Sequence, residues 1–151
     1  MLSEAPFSNS TTEFSYTCWV KFTSLSSCCL FSNRTALQYT GITIFVNNSG
    51  NILFDAGNER RTKSYTFATN IWYHLAFTYK KGDKKKIYIN GTEIDSVTST
   101  GSTTAASATN AFIGASQNSN TTVNANYLNG QLNDIRIYDH CLSAAEVHEI
   151  S

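Results

Sequence analysis

Nothing in this sequence approaches the ~20 consecutive apolar residues that a helix needs to cross a bilayer, so membrane insertion is not expected. Residues 1 to 15 lack the basic start and apolar centre of a signal peptide. Charge is scarce: 15% of residues carry it, the formal net charge is zero and the pI is near 6.8. Such a balance gives no field to attract nucleic acid or an anionic membrane, and neither is expected as a partner. Cysteines are few and show no CxxC spacing, which argues against a zinc site. Cys18, Cys28, Cys29 and Cys141 allow three pairings, none of them compelling. Adjacent cysteines rarely bond each other and Cys18 sits in an apolar strand pattern, so four free thiols and folding in a reducing compartment are expected. No Ser or Cys occupies a nucleophile elbow, and His74, His140 and His148 lie far apart.

What is present is a core and a polar, uncharged surface. With 41% hydrophobic residues, including nine Phe, eight Tyr and two Trp, the 151 residues can form one domain spanning 1–151. Asn, Ser and Thr, 15, 18 and 19 of them, make up about a third of the chain. That polarity suits exposed hairpins and long loops, and is common in proteins that work outside cells or on particle surfaces.

The chain is organised around Trp72 to Gly91, WYHLAFTYKKGDKKKIYING. Tyr73, Leu75, Phe77 and Tyr79 fall on one side of an extended strand and Trp72, His74, Ala76 and Thr78 on the other. Both sides are largely apolar, which predicts a strand in a sheet covered on both faces. Lys80 to Lys86 reads as an exposed turn, and Asn90-Gly91 as a type I′ hairpin turn. Phe14 to Phe22 alternates with one apolar face, and Cys28 to Phe31 starts a short strand. Gly41–Val46 and Asn51–Asp55 bracket an NNSG turn. Gly57 to Arg61 reads as a charged loop, Ser64 to Phe67 as extended, Glu93 to Val97 as a strand and Thr98 to Thr109 as a loop. Ala111 to Ala115 reads as a buried strand, 117 to 126 as an Asn-rich loop, and Tyr127 to Tyr138 as a last strand bent at Gly130. Residues 1 to 13 suggest an edge strand or arm around Pro6 and Phe7. Ser143 and Glu146 form an S-x-x-E capping box that predicts one short C-terminal helix. About a dozen short strands with regular turn signals predict an all-β fold, a two-sheet antiparallel sandwich or jelly roll.

The segments WYHLAFTY at 72–79, KIYING at 86–91, FIGA at 112–115 and LNDIRIYDHCLSAAEV at 132–147 resemble, in order and spacing, the laminin G-like and pentraxin-like branch of the concanavalin A-like lectin/glucanase superfamily. That resemblance implies a concanavalin A-like jelly roll. It leaves function open, because the fold hosts sugar-binding modules, adhesion domains, glycoside hydrolases and structural spacers. It also implies a structural calcium ion at Asp134, the acidic residue before the R-I-Y strand. Calcium needs six to eight oxygens, which one carboxylate with carbonyls and water can supply. Many relatives carry Asp-Asp where this chain has Asn133-Asp134; the competing reading pairs Asp134 with Arg136.

Glycoside hydrolysis needs two carboxylates about 5–9 Å apart, and on a strand a spacing of two satisfies this. Glu93 and Asp95 have that spacing but lack the final carboxylate of the glucanase-like E-x-D-x-x-E pattern, so two exposed acids and no enzyme activity are expected. His74 is read as a core-strand residue hydrogen-bonded to a neighbour. Lys80, Lys81, Lys84, Lys85 and Lys86 are read as a solvated hairpin tip, with contact to an acidic glycan or phosphate as the alternative. Asn9, Asn33, Asn47, Asn90 and Asn120 open N-x-S/T sequons of the kind that chance supplies in such a composition.

Sugar recognition uses an exposed aromatic ring with amide and carboxylate groups for the hydroxyls. The candidate ligand-binding residues are Asn33, Arg34, Gln38 and Tyr39, then Asn58, Glu59, Arg60 and Arg61, together with the loop 117–126. Trp19 and Trp72 are read as core or sheet-face residues. The expected function is a non-catalytic glycan-binding or adhesion module, with glycans or cell-surface polysaccharide as partners. The alternative is a structural, decoration or receptor-binding component of a virus particle, with other subunits as partners. Localisation follows as extracellular, within a larger secreted protein, or on a virion.

Overall fold

The computed structural model describes residues 11–33, 41–56, 59–101, 111–117 and 124–151. In chain order the strands are β1 (Glu13–Phe22), β2 (Cys28–Ser32), β3 (Thr43–Val46), β4 (Ile52–Ala56), β5 (Glu59–Lys63), β6 (Trp72–Lys80), β7 (Lys84–Ile89), β8 (Thr92–Thr98), β9 (Phe112–Ile113), β10 (Ser116–Gln117), β11 (Asn124–Ala125) and β12 (Gly130–Tyr138). One helix follows, α1 (Ala144–Glu149). They form two antiparallel five-stranded sheets, ordered β12-β1-β6-β7-β8 and β5-β4-β3-β2-β9, with β10 and β11 paired separately. This is the expected sandwich with its short C-terminal helix.

The core lies between the sheets. Phe14, Tyr16, Cys18, Val20 and Phe22 of β1, with Tyr73, Leu75, Phe77 and Tyr79 of β6, meet Ile44, Val46, Ile52 and Phe54 from the second sheet. Phe54 joins the two layers, its ring 6.1 Å from Phe14 and 5.3 Å from Phe77 in edge-on geometry. Each such side chain contributes about 1.5–3 kcal/mol of burial. The two-sided apolarity of β6 has its reason on the outer face, where Ala76 and Tyr88 pack beneath Leu142 and Val147 of the C-terminal segment. The Ser143 side chain accepts from the Glu146 backbone and the Glu146 carboxylate accepts from the Ser143 backbone, completing the predicted capping box. All four cysteines are free thiols, and burial pushes the Cys18 and Cys28 thiols up to about 12. Among the described residues no helix is long and apolar enough to cross a membrane.

Several local expectations are corrected. The segment read as a charged loop at Gly57 to Arg61 contains most of β5, an edge strand that pairs through its backbone with β4 and buries no apolar face of its own. Ser64 to Phe67 joins no ladder. Ala111 to Ala115 supplies only the two-residue β9, with Ile113 48% exposed. Lys85 is not at a solvated tip. It is 1% exposed and points inward, where its ammonium donates to the carbonyls of Ala56 and Glu59 at 2.8 Å each. The irregularity of β12 falls at Asp134, not at Gly130. Gly130 pairs regularly with Phe22, while the register slips between the Trp19–Asn133 and Thr17–Arg136 pairs and Asp134 takes a φ of 47°. Residues 1–10 and most of 98–109 lie outside the described residues.

Candidate functional site

Strands β3 and β4 turn Ile44, Val46, Ile52 and Phe54 into the core, so their alternate residues Thr43, Phe45, Leu53 and Asp55 face outward from the second sheet. Phe45 and Leu53 are cross-strand partners and half-buried. They help line a cavity of about 170 Å³ together with Thr43, Arg60, Ser116 and Asn126.

Two devices build its rim. On one side Arg60, opposite Asp55 across the β4–β5 ladder, donates from Nε to Oδ1 and from Nη2 to Oδ2 at 2.7 Å each. The carboxylate is sealed from water and the guanidinium is partly open. This bidentate grip fixes the plane of the arginine head. On the other side Asn126, at a φ of 53°, directly follows β11, in the segment whose sequence reads as a loop. Its carbonyl accepts from the Cys29 N–H at 2.9 Å, and its amide donates to Ser116 Oγ at 2.8 Å. A half-buried aromatic and aliphatic surface thus sits among a hydroxyl pair, an amide and a charge-compensated guanidinium, which suits a small polyhydroxylated ligand with apolar faces.

Of the predicted binding residues that the structure describes, Arg60 and Asn126, the last residue of the 117–126 segment, reach this cavity. Asn33 is buried and structural: its Oδ1 accepts from Ile42 N at 2.7 Å, and its own N–H donates to the Ile42 carbonyl at 3.0 Å. Glu59 accepts from Thr100 Oγ1 at 3.0 Å. Arg61 pairs with Asp95 across the two sheets, through Nε and, at 2.7 Å, through Nη2. Arg34, Gln38, Tyr39 and Asn58 lie outside the described residues. Sequence reasoning missed Thr43, Phe45 and Leu53. Their signal was the outward half of the alternation in GITIFV and NILFD.

The carboxylate pair considered for hydrolysis is separated by a register shift between Ile87 and Tyr88 in the β7–β8 ladder. Glu93 falls opposite Tyr88 on the outer face, where it accepts from Lys86 at 3.0 Å and from the Tyr88 hydroxyl at 3.3 Å. Asp95 falls opposite Ile87 on the core side, where its hydrogen bonds to Arg61 hold its pKa below the usual range. The spacing of two therefore does not put both acids on one face, and Asp95 is not an exposed acid. His74 is buried, and its Nδ1 has no hydrogen-bond partner among the described residues; burial lowers its pKa.

At Asp134 both carboxylate oxygens accept from Arg136, at 2.8 and 2.7 Å, and Asn133 Oδ1 accepts from the Asp134 N–H. Among the described residues no group of three His, Cys, Asp or Glu side chains converges there or elsewhere. The described geometry at Asp134 is thus the pairing with Arg136, the competing reading of this residue.

The architecture defines a class: two-sheet antiparallel jelly-roll domains. The chain belongs to the concanavalin A-like lectin/glucanases superfamily, whose laminin G-type family model matches residues 2–148. Among solved structures, the chain is similar to a candidate carbohydrate binding protein from Bacteroides ovatus ATCC 8483, at 16% identity over 93% of this chain and 41% of that one, with a TM-score of 0.74. It is also similar to the heptameric SAP-like pentraxin of Limulus polyphemus, at 17% identity over 94% of this chain and 70% of that one, TM-score 0.67. A third likeness is to a structure of botulinum neurotoxin type C, whose cell entry depends on interaction with two ganglioside molecules, at 18% identity over 94% of this chain and 36% of that one, TM-score 0.62. At these identities the likeness shows the fold alone, and the chain spans less than half of the Bacteroides and neurotoxin chains. No curated protein sequence matches it.

Proposed function

We propose that this chain is a non-catalytic carbohydrate-binding module whose ligand lies in the groove on the outer face of the second sheet. The observation that carries the reading is the union of a half-buried Phe45–Leu53 floor with Thr43, Ser116, Asn126 and the clamped Arg60 around one cavity. An aromatic face receives the C–H groups of a pyranose, and fixed polar groups receive its hydroxyls. Solved relatives described as binding carbohydrate or gangliosides support the same direction. The Asp55 carboxylate is committed to Arg60, and among the described residues that line the groove there is no acid/base pair, which supports binding without turnover. A module of this kind would act outside the cell or on a particle surface.

The test is a glycan-array screen on the isolated chain, followed by calorimetry with the best saccharide. Saturable binding to one glycan class is expected, lost in Asn126→Ala and weakened at least tenfold, about 1.4 kcal/mol, in Phe45→Ala. Silence across a diverse array would overturn the reading and favour an assembly role, to be pursued through the mass of the particle in solution.

A further inference from the structure

The two tryptophans of this chain stand on one surface, and it is not the groove. On the outer face of the first sheet the β12-β1-β6 register aligns Gln131, Lys21 and Trp72 in one row, and Asn133, Trp19 and His74 in another. A cavity of about 280 Å³ is lined by Trp19, Trp72 and Asn133. Helix α1 covers the far part of this face through Ala76 and Tyr88. Trp72 is 37% exposed, and among the described residues neither tryptophan is covered by the C-terminal helix cluster. Trp19 packs beside the buried His74 ring, its cross-strand neighbour, 5.4 Å away.

Lys21 is the cation of this shelf without an ion-pair partner among the described residues. Its ammonium lies 5.1 Å from the centre of the Trp72 ring, within cation–π range. The nearby Arg136 is different, because Asp134 neutralises it. The shelf therefore offers two indole surfaces, one uncompensated cation and two exposed amides.

We propose that Trp19, Lys21, Trp72 and Asn133 form a second carbohydrate site, selective for sugars that carry a carboxylate or sulfate. The apolar face of the pyranose lies on the indoles, its anionic group meets Lys21, and its hydroxyls meet Asn133 and Gln131. The site shares a ligand class with the groove but no residue, so the two stand or fall separately.

Because the chain holds no other tryptophan, intrinsic indole fluorescence reports this shelf alone. The experiment titrates the full chain at low salt with a glucuronate-containing oligosaccharide, a sulfated one and their neutral counterpart, following emission and heat together. A saturable emission change is expected with the acidic sugars, at least about tenfold weaker for the neutral one. Which acidic arm binds tells carboxylate from sulfate recognition. Lys21→Gln is expected to weaken acidic binding about tenfold with its melting curve intact, and Lys81→Gln, in the exposed turn between β6 and β7, to leave it unchanged. Heat of binding without any emission change would place the ligand in the groove and overturn the second site while sparing the first. An emission response that is equal for neutral and acidic sugars, or indifferent to Lys21→Gln, would overturn the anionic selectivity. No response in either signal to any saccharide would overturn the proposal.

Discussion

Asp55 and Arg60 face each other across adjacent strands through two parallel bonds of 2.7 Å, with the carboxylate side chain 1% exposed and the guanidinium 35%. The buried partner depends on the open one. Arg60→Ala strands a charge without its donors and is expected to cost about 2–3 kcal/mol, below the range for fully buried pairs because water reaches the vacated side. For a domain of this size that lowers the melting midpoint by roughly 6–9 °C. Arg60→Lys keeps the charge but not the fork, so it is expected to recover stability in part and glycan affinity poorly. Equal binding by the lysine variant would show that the guanidinium plane is irrelevant to the groove.

Lys85 gives a pH dependence. Burial lowers its pKa from 10.5 to about 8, against the opposing pull of the Glu59 and Asp55 carboxylates. Below about pH 8 the folded and unfolded chains are both protonated at this residue, so it contributes no slope. Between 8 and 10.5 the unfolded chain holds a proton that the folded chain has released, so the Lys85 contribution rises with pH and levels off above 10.5. The neutral amine still has two N–H donors for the carbonyls of Ala56 and Glu59. Urea unfolding of wild type and Lys85→Met across this window, subtracted to cancel other groups, is expected to show wild type gaining on the variant as pH rises. A flat difference would mean that the ammonium keeps its ordinary pKa inside the sandwich.

Gly130 is needed for close approach between strands. A Cβ placed there would lie 2.2 Å from the Lys21 carbonyl oxygen and 3.1 Å from Phe22 Cα, both backbone atoms that cannot swing away. Gly130→Ala is expected to separate β12 from the end of β1 and cost about 3 kcal/mol, read as a lower denaturant midpoint. Gly82 is the control: its added Cβ would meet nothing, although its φ of 75° still carries a smaller strain.

With Asp134 turned onto Arg136, the melting midpoint is expected to be the same in calcium and in EGTA, and glycan binding the same in both. An ion that binds only the folded state must raise the midpoint, so an upward shift in calcium would restore the metal reading for this position.

Periodicity decided most of the fold within the sequence. The alternation of Phe14 to Phe22, the doubly apolar Trp72 to Tyr79, the Asn90-Gly91 turn with φ of 48° and 74°, and the Ser143–Glu146 box all rest on local rules that neighbours in the chain suffice to satisfy. The groove was only partly legible there. Arg60 and the Asn-rich loop were visible as polar segments, but Phe45 and Leu53 looked like any other strand residues until pairing placed them side by side. Glu93 and Asp95 show the same limit from the other direction: a one-residue slip at Ile87/Tyr88, invisible in the sequence, sent one acid outward and the other to Arg61. Lys85 read as part of a charged turn, and the partner carbonyls that permit its burial lie 29 and 26 residues away. Trp19 and Trp72 are separated by 53 positions in the chain and meet only because β1 and β6 pair in that register. The sequence by itself determined which residues extend, turn and bury, because those choices are local. The tertiary structure alone decided which outward residues share a surface, because strand register is set by the packing of the opposite face.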